Sequence, residues 1–402
     1  MSKIKTILKT LRNDLSYRSA KRSILKNRKI NKSKRVVFIC QCESLWPKSE
    51  PVYLALKNKG IDCKLLVVED LMSEKKEVSI FEKYNDDVVY YKNGIIDELN
   101  PKIVFYPRPY DHYLPKDVRT KNVVKKALIA YIPYYFYQRG GDNGLLKKTF
   151  SDRVCFYFAD QKEAAEQYKN ISAKGIKNGH LHCLEFGYPF FETIGKLFET
   201  SDLSKSAFIK NKEGLKILWT PRWEFEGENG GSNFLKYKDF IFDKFVNNKK
   251  YSFVFRPHPL LFDNFIKKGA LSVEEKDSIL NMLKESNNSN YDHSGDYLDT
   301  FMDCDILISD TSSMILEFAS FGKPLLYCDS NDNEDSSSLW NEIIEKNYFI
   351  RNKEELIKCF DEVIKGENES KIQKRKMLSK EILDAHKNSA ERIAEYIIKQ
   401  LG

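Results

Sequence analysis

The feature that most constrains this chain is an alternation. Short apolar runs recur along its 402 residues, each followed by a polar loop and then a stretch with helical spacing. Val36–Cys40, Cys63–Val68, Ile103–Tyr106, Leu128–Ile132, Val154–Phe158 and Leu181–Phe186 form one series. Leu215–Trp219, Ser252–Phe255, Asp305–Ser309 and Leu325–Cys328 form a second. Runs this short and this apolar suit strands buried on both faces, and helices between them make βαβ units with parallel sheets. Two such series joined near residue 200 predict an α/β protein of two Rossmann-like domains, residues 36–200 and 201–370. A basic arm (1–35) precedes them and charged helices (371–402) follow.

Composition narrows the class further. With 42% hydrophobic and 31% charged residues the chain is neither collagen-like, mucin-like nor mainly disordered. The longest apolar run, Ala127 to Tyr137, is too short to span a bilayer and is interrupted by Pro133. No apolar core follows the basic start, so no secretory signal is expected. Eight cysteines without a C-x-x-C spacing fit reduced thiols of a soluble, intracellular protein.

Charge is unevenly placed. Residues 1–35 hold thirteen Lys or Arg against Asp14 alone, so the arm carries +12 of a net +8 and the body −4. Ile4, Ile7, Leu8, Leu11 and Leu15 share one helical stripe. A basic amphipathic helix of this kind suits an anionic membrane surface, where each cation contributes about 1 kcal/mol. Residues 1–30 are therefore expected to dock peripherally on the cytoplasmic face of the membrane. A nucleic-acid tail is disfavoured, since Tyr17 is the arm's one aromatic residue and the body is acidic. A merely solvated terminus is the remaining reading.

Ligands of open α/β sheets bind beyond the carboxyl ends of the strands. Three segments of the second domain place polar residues there. In Asp305–Asp329, a strand runs into Asp310-Thr311-Ser312-Ser313, and a helix with Ile315, Phe318 and Ala319 facing inward follows until Gly322-Lys323-Pro324. Hydroxyls at a helix start suit phosphate binding, although a helix N-cap uses the same residue types. Glu317, one turn on, reads as a ribose ligand or an ordinary exposed helix residue. In Phe253–Pro259, Arg256 and His258 leave a strand between rigid prolines and are candidates to bind a diphosphate and offset charge on a leaving phosphate. In Ile217–Trp223, Thr220 and Arg222 leave a strand at the same edge, Arg222 as a substrate contact or a surface ion pair. His180-x-His182-Cys183 lacks an obvious third metal ligand, and no metal or cofactor is expected. Dinucleotide, P-loop and hydrolase signatures are absent.

These segments, Thr220–Trp223 (TPRW), Arg256–Pro259 (RPHP) and Asp305–Ser313 (DILISDTSS) with GKP at Gly322–Pro324, resemble in residues and order the CDP-glycerol glycerophosphotransferase family of teichoic acid and capsule enzymes. Gly187-Tyr188-Pro189 looks like the family's G-x-P junction. The resemblance implies a GT-B architecture, two Rossmann-like domains facing a central cleft, the first for the acceptor and the second for a CDP-activated polyol donor. It implies transfer of a polyol phosphate, glycerol phosphate foremost, to a hydroxyl of a lipid-linked or oligosaccharide acceptor, with release of CMP. It assigns His258 and Ser312-Ser313 to the donor phosphates, and it implies membrane association. Where family members often carry W-H-G, whose histidine is the presumed base, this chain has Tyr131-Ile132-Pro133-Tyr134-Tyr135. Asp111 and His112 are the replacement candidates, with Asp142 behind them; each also reads as structural. A GT-B glycosyltransferase using a nucleotide sugar and a catalytically silent nucleotide-binding protein are the rival readings.

Overall fold

The computed structural model describes residues 2–402 apart from 70–80, 82, 137–145, 200–205, 226–230, 296 and 331–336, with side chains from Thr10 onward. The chain forms two compact units: residues up to Gly195 joined by Ala385–Gly402, and Lys196–Asp384.

The first unit is a seven-stranded sheet of β1 (Val36–Cys40), β2 (Cys63–Val67), β3 (Val88–Tyr90), β4 (Ile103–Tyr106), β5 (Leu128–Tyr131), β6 (Val154–Ala159) and β7 (His182–Glu185). Its order is β3-β2-β1-β4-β5-β6-β7 and every pairing is parallel. The second unit repeats that winding with β8 (Leu215–Thr220), β9 (Tyr251–Phe255), β10 (Ser289–Tyr291), β11 (Ile306–Ser309), β12 (Leu325–Cys328) and β13 (Tyr348–Ile350), in the order β10-β9-β8-β11-β12-β13. Strands β1, β4, β5, β6, β9, β11 and β12 are buried at every residue, as parallel strands covered on both faces must be. In both units the order reverses beside the first strand, which opens a crevice at the carboxyl edge between β1 and β4 and between β8 and β11.

The basic arm is more than a solvated terminus. It is a helix, Ser2–Ile30, whose second half packs on the first unit through Tyr17, Ala20, Ile24 and Asn27. Asn27 donates to the carbonyl of Val124 (2.8 Å), and Arg28 donates to the carbonyls of Gly179 and His180. The buried Lys102 ammonium closes the helix end by donating to the carbonyl of Asn31 (2.5 Å). Of the expected apolar stripe, Leu11 and Leu15 are exposed, while the side chains of Ile4, Ile7 and Leu8 lie outside the described residues. The C-terminal segment 371–402 is shared: a helix, Glu369–His386, ends the second unit, and Ser389–Leu401 packs its apolar face into the first.

Candidate functional site

At the carboxyl edge of the second sheet the loops after β8 and β9 run side by side. The ladder continues past the strand ends, with Arg256 N–H donating to the carbonyl of Trp219 (2.9 Å) and His258 N–H to that of Pro221 (3.0 Å). Pro221, Pro257 and Pro259 supply no N–H and end the pairing there. The result brings His258 beside Arg222 and sets its ring against Trp223, with centroids 6.0 Å apart. The N–H of Leu260 donates to His258 Nδ1 (3.1 Å), so the neutral ring carries its proton on Nε2. His258 keeps an exposed surface, yet crowding of the ring by protein and, second, the Arg222 guanidinium push its pKa down to about 4. At neutral pH it is therefore an uncharged hydrogen-bond donor beside a fixed cation.

Arg256 is placed differently from the expected free cation. Its guanidinium pairs with the fully buried Asp292 (2.7 Å), donates to the carbonyl of Ser294 (2.8 Å) and lies over the Tyr297 ring at 5.0 Å. Tyr297 in turn donates its hydroxyl to Glu317. Glu317 is buried, not an exposed helix residue, so Arg256, Tyr297 and Glu317 form one connected set under the loops.

The β11 segment divides in the same way. Asp310 is a brace: it accepts from Arg222 N–H (2.9 Å), Ser232 Oγ (3.0 Å), Asn233 N–H (3.1 Å) and Asn233 Nδ2 (3.0 Å). Burial raises its pKa, and those donors oppose the rise. Its carboxylate therefore holds protein loops in place. Thr220 pins β8 to β11 through Ser309 Oγ (2.8 Å), and Thr311 turns inward to the Tyr327 hydroxyl (2.7 Å). Ser312 caps the helix Ser313–Ala319 by accepting from Met314 N–H (3.3 Å). Ser312 and Ser313 are half-buried at the crevice end of that helix. Gly322 ends the helical stretch at φ +66°, and Lys323 donates to the carbonyls of Phe301 (3.1 Å) and Cys304 (2.7 Å), closing the helix Leu298–Asp303.

Thus the second unit gathers Thr220, Arg222, Arg256, His258, Asp310, Thr311, Ser312, Ser313 and Glu317 at one sheet edge, where the Arg222 guanidinium forms an ion pair with Glu224 (2.8 Å). Asp292, Tyr297, Ser232 and Asn233 were missed in sequence; each acts through a partner distant along the chain.

Asp111 and His112 belong to the first unit, in a single turn (Asp111–Tyr113) beyond β4. Asp111 accepts from Thr120 N–H (2.7 Å) and Thr120 Oγ1 (2.6 Å) and lies 3.5 Å from Arg153, which makes it the local cap. His112 is exposed and packs on Tyr113, with ring centroids 3.9 Å apart. Asp142 lies outside the described residues. His180 is fully buried against Tyr17, and His182 Nδ1 meets the Tyr396 hydroxyl (2.8 Å), so both serve the packing of the terminal helices. Among the described residues no group of three or more His, Cys, Asp or Glu is placed to hold a metal ion.

Two parallel sheets of Rossmann order define the GT-B class. The model for CDP-glycerol:poly(glycerophosphate) glycerophosphotransferases matches residues 162–399, well over half the chain, and the chain belongs to that family. It is thus a CDP-glycerol glycerophosphotransferase-like enzyme. Among solved structures, the wall teichoic acid polymerase TagF matches with a TM-score of 0.59 and 13% identity, over 99% of this chain and 98% of that one. An S. aureus MnaA–UDP structure matches with a TM-score of 0.60 and 15% identity, over 91% and 96%. UDP-GlcNAc 2-epimerase from Neisseria meningitidis, bound to UDP-GlcNAc, matches with a TM-score of 0.54 and 14% identity, over 91% and 100%. These identities speak for the fold alone. No curated protein matches by sequence.

Proposed function

We propose that the enzyme transfers a polyol phosphate, glycerol phosphate foremost, from a CDP-activated donor to a hydroxyl of a teichoic-acid or capsule precursor. The acceptor oxygen bonds to the β-phosphorus, the bond from that phosphorus to the bridging oxygen breaks, and CMP leaves with the electron pair. Such a step needs positioning and charge stabilisation above all. His258 Nε2–H and the Arg222 cation stabilise charge gathering on the departing phosphate, and Ser312 and Ser313 hold the donor phosphates. Glu317, fixed by Tyr297, orients the nucleotide. Arg256, Thr220, Asp310 and Thr311 shape the loops that do this. His112 is the proton acceptor for the attacking hydroxyl, standing in for the absent W-H-G histidine; Asp111 holds the turn that carries it.

The observation that carries the reading is the Leu260-fixed, neutral His258 beside Arg222 at a sheet switch point, in a chain of this family. TagF has itself been solved after a CDPG soak. Incubation with CDP-glycerol, CDP-ribitol and common nucleotide sugars tests it: CMP from a CDP-polyol is expected. Release of UDP from a nucleotide sugar would favour a glycosyltransferase, and donor binding without turnover a silent binding protein.

Residues 1–30 hold the enzyme on anionic membrane from the cytoplasmic side. The arm's charge and the exposure of Leu11 and Leu15, opposite the packed Tyr17–Ala20–Ile24 stripe, support this. No described helix is long and apolar enough to cross a membrane. Leu11→Glu with Leu15→Glu should weaken flotation with anionic liposomes; unchanged flotation would exclude the role.

A further inference from the structure

Of the chain's four tryptophans, Trp46, Trp219 and Trp340 are buried, and Trp223 is 37% exposed. It follows β8 at the sheet edge that carries His258, and the chain on either side of it is tied down. The carbonyl of Pro221 accepts from His258 N–H (3.0 Å), and Arg222 N–H donates to Asp310 (2.9 Å). The Trp223 carbonyl itself accepts from Asn264 Nδ2 (3.3 Å), on the helix Leu261–Lys267. One residue on, the Glu224 carbonyl accepts from Ser232 N–H (2.7 Å). The side chain is held less. Its ring tilts at 45° against the His258 ring, with centroids 6.0 Å apart, and among the described residues its indole N–H meets no acceptor. Phe225, two residues on, turns the other way and packs its ring on Phe265, with centroids 5.2 Å apart.

An indole carries a large apolar face and one polar N–H, and here a firmly tied backbone presents it beside the candidate histidine. Sites for small ligands are lined by such rings, with a few placed polar groups among them. Reach decides which part of a donor this ring could meet. It lies against the imidazole that the transferase reading sets on the diphosphate. Cytosine is separated from its phosphate by a ribose, which the same reading gives to Glu317. The polyol is bonded to the β-phosphate directly, within reach of a ring beside His258. It offers C–H groups to the indole face and hydroxyl oxygens to the indole N–H. Resting on the transferase reading, we infer that Trp223 is the wall on which the donor's polyol rests, a specificity residue for the group transferred and not for the nucleotide.

Calorimetric titration of the full chain with CDP-glycerol and with CDP, which lacks the polyol, tests the inference. Trp223→Ala should weaken CDP-glycerol binding about fivefold, the scale of one aromatic contact. It should bind CDP like wild type, which also reports that the variant is folded. Trp223→Phe keeps a ring and should fall between wild type and Trp223→Ala. Saturation with CDP-glycerol should shift the indole emission of wild type, and Trp223→Phe should lose that shift, since the other three indoles are buried. Wild type binding CDP-glycerol while Trp223→Ala keeps wild-type affinity for it would overturn this inference alone. So would a loss of CDP affinity by the same factor, which would place the ring against the nucleotide. Wild type failing to bind CDP-glycerol would instead overturn the donor reading.

Discussion

The second unit ends its sheet in loops tied to one another by carboxylates: Asp310 gathers four donors, and Asp292 holds Arg256. The first unit ends an identically wound sheet differently, with a buried arginine held by a glutamine amide among tyrosines. Winding order positions a crevice without specifying its chemistry. Braced loops suit a site that must hold a small, multiply charged leaving group in one geometry.

That contrast can be broken by substitution at the second edge. The largest effect expected is from His258→Ala, which should lower CMP release on the order of 10³-fold, as for loss of one preorganised donor, with melting unchanged. Wild-type turnover would remove His258 from the mechanism. Next comes Asp310→Ala, which removes the shared acceptor of four donors, two of them on the buried Asn233, and should destabilise the protein by about 2–4 kcal/mol in chemical denaturation. A loss under 1 kcal/mol would mean the loops hold without their brace.

A smaller effect sharpens the picture of the first unit's packing. Burial, reinforced by neighbouring cations, pushes His180 and His386 each down to about 4. Both stay neutral when folded, while the unfolded chain takes up protons below about 6.5. Stability should therefore be full above pH 6.5 and decline as pH falls towards 4, by on the order of 1–3 kcal/mol for each histidine. His180→Phe should flatten part of that slope; a wild-type profile already flat between pH 7 and 5 would contradict the assignment. The smallest effect is Tyr297→Phe, which removes one hydrogen bond from Glu317 and should raise the donor KM about fivefold, the scale of one hydrogen bond, with kcat nearly constant. An unchanged KM would leave Glu317 without a part in donor binding.

Much of this was readable from sequence, for a physical reason. Strands such as Val36–Cys40 and Ile103–Tyr106 are apolar at every position because both sheet faces are covered, so they stand out. The edge strands Val88–Tyr90, Ser289–Tyr291 and Tyr348–Ile350 are three residues each, and Ser289-Asn290-Tyr291 has no apolar pattern to find. Polar residues placed just past apolar runs marked Thr220, Arg222, Arg256, His258 and Asp310–Ser313. What each does there was hidden, because Asp310 meets Asn233 and Arg256 meets Asp292 only through the fold. The packed face of the arm was hidden in a similar way. Its charge and its Ile/Leu stripe dominate the pattern, while the face that packs is Tyr17, Ala20, Ile24 and Asn27, one of which is polar and one small.

The central claim concerns which bond breaks, and the nucleotide left behind reports it. With CDP-glycerol and a polyol-phosphate acceptor, attack at the β-phosphorus releases CMP in step with each glycerol phosphate added. CDP accumulating in its place would mean that the phosphate stays with the nucleotide, and the phosphotransfer account would be wrong.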